Sequence, residues 1–135
     1  MQRELAVLTD VKDIGELLSG ASLDATRIAP RHGWLRLELL LTRAMPERAT
    51  MARRGFLRRA KTPWTKSRVV FEQVTAASVE RVGDGGAEQT PLLVCDAVPG
   101  GYALTVTSPD GLRWSLAMDQ LSGRFEDIGQ PLEAP

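Results

Sequence analysis

Cysteine and histidine are nearly missing from this sequence: Cys95 and His32 are the sole examples in 135 residues. One cysteine excludes an internal disulfide, and one of each residue cannot build a transition-metal site without recruiting several carboxylates. The same scarcity weighs against a Cys–His or Ser–His nucleophile, and no Gly-x-Ser-x-Gly elbow is present. Cys95 stands in an apolar run and His32 in a turn, so both are expected to be structural. Phosphate loops are lacking as well. Gly83-Asp84-Gly85-Gly86 fits neither G-x-x-x-x-G-K-[ST] nor a G-x-G-x-x-G that opens a helix, and Pro91 blocks a long helix after it. The acids near the C-terminus, Asp119, Glu126 and Asp127, lack the alternation of oxygen ligands and glycine that a calcium loop needs. They are expected to form a solvated acidic rim, and no cofactor or metal is expected.

No apolar run approaches the roughly 18–20 residues that span a bilayer. The opening stretch Met1–Leu8 is too short for a signal-peptide core, so a cytoplasmic location is the expectation. The lone cysteine agrees with a reducing compartment.

What is there is ordinary globular material, 43% hydrophobic and 25% charged, in a chain long enough to bury a core without a staple. A single domain over 1–135 is expected. Val11, Ile14, Leu17 and Leu18 share one face of a short helix that follows a first strand-like stretch. Asp10 is placed to cap it, Asp13 in its first turn and Gly20 at its end. The helix is read as a lid over a sheet.

From Leu23 the period changes to two. Leu23–Ile28 and Trp34–Leu41 read as paired strands across a Pro30–Gly33 loop, with Leu35, Leu37, Leu39 and Leu41 inward and Arg36 and Glu38 wet. Arg68–Val74 is strand-like and continues through Ala76–Val82 past a bulge, because the alternation loses phase near Thr75. Leu92–Cys95 forms a short strand. A hairpin pairs 102–107 with 112–118 through Ser108-Pro109-Asp110-Gly111, with Gly111 left-handed. Leu121, Phe125 and Ile128 suggest a closing helical turn or an edge strand, and Pro131–Pro135 a frayed tail. About six strands, joined by Gly/Pro turns, predict a mainly β (β-rich α+β) fold. It would be an antiparallel curved sheet, roll or partly open barrel with one or two short helices.

Seventeen basic and seventeen acidic side chains cancel, yet the segment 43–68 holds nine Lys/Arg against Glu47 alone, which gives +8 there and −8 elsewhere. The segment also reads as a long excursion between two strands, and it contains its own apolar anchors. Three readings of it compete. The cations form a solvated rim or pair with the acidic body. They surround aromatic anchors and recognise a protein partner or a second copy, with Arg53, Arg54, Phe56, Arg58, Arg59, Lys61, Trp64 and Lys66 as the recognition set. Or the same residues grip the phosphates of a nucleic acid, with Trp64 stacked on a base. The acidic remainder would repel a polyanion, so protein recognition by a non-enzymatic binding module is preferred over nucleic acid. An enzyme without a recognisable motif is a further alternative.

A short helix, a leucine-alternating strand, a long excursion, the strand Val70-Phe71-Glu72-Gln73-Val74 and a terminal hairpin bearing Asp110-Gly111 follow one another. This order, over roughly residues 10–128, resembles that of small uncharacterised β-rich bacterial proteins, some of them immunity-type or other partner-binding proteins. The resemblance implies a β-rich fold and a binding role. It brings no site residue with it.

Overall fold

A computed structural model describes residues 2–44, 64–82, 93–108 and 111–129. The Gly83–Gly86 loop, Pro109, Asp110 and the 131–135 tail lie outside the described residues. The elements run β1 (Gln2–Leu5), α1 (Leu8–Leu17), β2 (Ser22–Arg31), β3 (Trp34–Ala44), β4 (Trp64–Arg81), β5 (Leu93–Val98), β6 (Gly101–Thr107), β7 (Leu112–Met118) and β8 (Gly123–Asp127). All strand pairs are antiparallel, and they form one strongly curled open sheet, a half-barrel. The expected class is therefore correct. Among the described residues, eight strands replace the six anticipated, and α1 is the one helix.

β4 organises the sheet. Its first half pairs with β3 on one edge and β8 on the other; its second half pairs with β7, on the β8 side. β7 and β8 thus run end to end along β4. Both of β4's edges slip register here, against β3 between Leu35 and Leu37 and against β7 between Val74 and Ala76. Gln73, within the slip against β3, takes a left-handed φ of 57°. The slip against β7 is the bulge that the lost alternation near Thr75 predicts, and together the two bend the long strand so that the sheet can curl.

The period-two pattern sorts the two faces. Leu37, Leu39 and Leu41 of β3, Val69 and Phe71 of β4, Leu104 and Val106 of β6, Leu116 and Met118 of β7 and Phe125 of β8 are buried on the inside. Helix α1 packs against β5 and β1, which are the two ends of the strand order β1-β8-β4-β7-β6-β5. Its buried Val11 and Ile14, with Leu18 just beyond its end, join the same core. The helix is the anticipated lid, and it bridges the gap that the curled sheet leaves.

Several local expectations are corrected. Asp10 does not precede the helix; it sits in the first turn and reaches back. Its Oδ2 accepts hydrogen bonds from the Ala6 and Val7 N–H groups at 3.0 and 3.1 Å. Asp13 lies beyond that turn and accepts from Arg3 at 2.8 Å. The β2–β3 connection is a two-residue turn rather than a four-residue loop. Pro30 and Arg31 pair with Leu35 and Trp34, and His32 and Gly33 both take positive φ, 53° and 81°. That combination is what a tight hairpin turn of the right twist demands. Gly111, with φ of 89°, takes the left-handed position expected of it. Finally, residues 123–127 are neither helix nor edge: β8 lies between β1 and β4.

Candidate functional site

The basic excursion is shorter than the charge pattern suggests. β3 continues to Ala44 and β4 begins at Trp64, and these two residues are register partners. Arg43, Trp64, Lys66 and Arg68 are therefore strand residues. Arg53, Arg54, Phe56, Arg58, Arg59 and Lys61 lie outside the described residues.

At this rim of the half-barrel, alternation decides the fate of each side chain. Arg43 follows Leu37, Leu39 and Leu41 inward and is fully buried. Its Nε and Nη2 donate to Asp127 Oδ1 and Oδ2 at 3.0 and 2.8 Å, a two-pronged pairing of planar groups. Nη1 donates to the Ala44 carbonyl at 3.1 Å, and the guanidinium lies 5.4 Å from the Phe125 ring centroid, within cation–π range. Ser67 donates to Asp127 Oδ1 at 2.7 Å and Thr65 to the Gly129 carbonyl at 2.9 Å. The largest single influence on Asp127, burial, pushes its pKa up. Hydrogen bonds from Arg43 and Ser67, with the Arg43 charge, outweigh it and hold the carboxyl below its ordinary value. The cluster fastens β3, β4 and β8 together where the chain leaves for 45–63.

The outer face of the same strands carries a cross-strand ladder of charge. Lys66 donates to Thr42 Oγ1 at 2.7 Å and to Asp24 Oδ2 at 3.2 Å. Arg68 pairs with Glu126 and, at 3.5 Å, with Glu38. Arg36 stands 3.2 Å from Glu72. Trp64, half-buried, shares this face with Lys66 two residues on. Of the expected recognition residues, the structure thus brings Trp64 and Lys66 together, and it shows Lys66 engaged with the acidic body.

The C-terminal acids do not converge. Glu126 faces outward to Arg68, Asp127 faces inward with its side chain 6% exposed, and Asp119 lies in the turn after β7. Neighbours on a strand point to opposite faces, so a common ion site or a solvated rim is replaced by two separate ion pairs. No group of three or more His, Cys, Asp or Glu side chains suited to a metal occurs among the described residues. His32 occupies the hairpin turn. Cys95 is half-buried in β5, and burial, reinforced by Asp96, pushes its thiol up to about 11. A shallow cleft of about 300 Å³ lies between β1, β4 and β8, with Val70 in its lining and Glu4, Glu72 and Arg124 around it.

Sequence reasoning missed Arg43 and Asp127. The signal was present: the inward phase of Leu37, Leu39 and Leu41 continues to 43. No helix among the described residues is long and apolar enough to cross a membrane. The chain matches no protein-family model, no curated protein and no solved structure with which it was compared.

Proposed function

We propose that this protein is a non-enzymatic binding module for a protein partner, with the basic segment 45–63 as its recognition element. The observation that carries the reading is the pairing of Ala44 with Trp64 on a rim braced by the buried Arg43–Asp127 contact. The segment leaves and re-enters the sheet at one fixed place, as a recognition loop on a rigid scaffold does. Charge sharpens the reading. Arg43, Lys66 and Arg68 are spent on Asp127, Asp24 and Glu126. The other six cations of the segment fall within 45–63, beside Phe56 and a single acid. Arginine around aromatic anchors is a frequent composition of binding hot spots.

Charge reversal of Arg53, Arg54, Arg58 and Arg59 tests this. The expected outcome is an unchanged far-UV spectrum and unfolding midpoint, with loss of the partner that co-purifies with the unaltered chain. Retention of that partner overturns the reading. If binding is instead to nucleic acid, neutralising about five phosphates makes log K fall with log salt at a slope of about −4 to −5. A flat titration removes that alternative.

A further inference from the structure

β4 outruns its neighbour on one side. The β2–β3 hairpin turns at His32–Gly33, and its last pairing with β4 is Leu35 with Val74. Beyond that point, among the described residues, no strand pairs with this edge of Thr75–Glu80, and every side chain from Thr75 to Glu80 is exposed. The other edge is engaged by β7. Val82 N–H donates to the Gly111 carbonyl on the β7 side at 2.8 Å. Backbone groups alternate along a strand, so Ser78 and Glu80 also face β7, while the N–H and C=O groups of Ala77 and Val79 point away from it.

The inner face beside this edge is apolar and incompletely covered. Cross-strand pairing sets Val79 in a row with Trp114, Val106 and Leu93, and Ala77 in a row with Leu116, Leu104 and Cys95. The far members of both rows lie in the core or pack against it, but Val79 is 47% exposed. The devices that normally blunt such an edge are missing: Ala76-Ala77-Ser78-Val79 has no proline and no lysine. An incoming strand would gain backbone hydrogen bonds and would extend two apolar rows at once.

We infer that this edge pairs with the same edge of a second copy, antiparallel about a two-fold axis through Ser78. In that register Ala77 of each copy lies opposite Val79 of the other. Both have outward backbone groups, so two reciprocal pairs give four hydrogen bonds. On the inner face a small side chain meets a larger one, and each Val79 row runs on into the other copy's Ala77 row. On the outer face Ser78 meets Ser78, and Glu80 meets Ala76, so no like charges are opposed. The surface is therefore self-complementary, as a two-fold interface must be. Two paired edges cover less than a standard interface, so the dimer is transient and concentration-dependent. The inference is independent of 45–63.

The test uses the full chain with one added cysteine in each variant. Ser78→Cys sits on the axis in a non-hydrogen-bonded pair, where the side chains approach most closely, while Glu80→Cys lies opposite alanine. Cys95 is common to both variants. Under mild oxidation, Ser78→Cys is expected to form a disulfide-linked dimer about tenfold faster than Glu80→Cys. Equal rates overturn the inference. By sedimentation, the unaltered chain should gain mass with concentration, and Val79→Pro, which removes one outward N–H, should abolish the gain. A monomer at every concentration, or dimerisation that survives in folded Val79→Pro, overturns it too. If Val79→Pro fails to fold, the cysteine pair decides alone. The 53/54/58/59 charge-reversal variant should dimerise unchanged, which separates this contact from the proposed recognition segment.

Discussion

Arg43 shows how one side chain can change meaning with its facing. Counted along the chain it is the first cation of a basic stretch. Folded, it is fully buried, and Asp127 holds two of its nitrogens. Removing one member of a buried ion pair strands the other, which typically costs about 3–5 kcal/mol. Arg43→Ala is expected to lose that much in urea unfolding. The double change Arg43→Met with Asp127→Leu should recover most of the loss, because neither charge is left unpaired. Acid should act on the same contact. The folded-state pKa of Asp127 is depressed, so its stabilisation is complete above the ordinary carboxylate range and disappears as pH falls through the lower folded value. The denaturation midpoint, followed from pH 7 to pH 2, should drop in the unaltered chain, and the drop should shrink in Asp127→Asn. Arg43 escaped the sequence reading because composition records charge and not direction.

Among the elements, strands announced themselves wherever one face is dry and the other wet. β3 and the β6–β7 hairpin are of this kind, and their partners are close in sequence. The bulge in β4 was legible too, since an added residue shifts the alternation that marks a strand. Pro30 looks like a loop residue and lengthens the expected β2–β3 turn, yet proline is tolerated on an edge strand such as β2. The turn itself rests on two positive φ angles, one of them at His32. A β-branched residue resists that conformation, so His32→Val is expected to lower stability by about 1–3 kcal/mol, whereas His32→Gly or His32→Asn should be tolerated. Thermal unfolding of the three variants checks this. The interior place of β8 is hidden for a different reason. Its partners, β1 and β4, are distant in sequence, and no local pattern records such pairing.

Across the whole molecule, the split of charge into a basic segment and an acidic body was visible in composition, but its use was not. Part of the asymmetry is neutralised within the sheet, by the ladder in which Glu38 and Glu126 share Arg68 and Asp24 holds Lys66. The half-barrel was one of the three shapes that strand count and turn chemistry allowed. The choice among them depends on β4 bending and serving three partners, which is a property of the assembled sheet.

The pairing of β1 with β8 also bears on the order in which the chain assembles. Gln2 meets Glu126 across 124 positions of sequence, while β2 and β3 meet across a two-residue turn. Closing a long loop costs entropy before any contact repays it, so the short hairpins should form early and β1 should dock last, in a chain that folds over milliseconds to seconds. In pulse-labelled hydrogen exchange during refolding, amides of β3 and β7 should gain protection first and those of β1 at the end. Early protection in β1 would show that the fold is instead nucleated from its most distant contact.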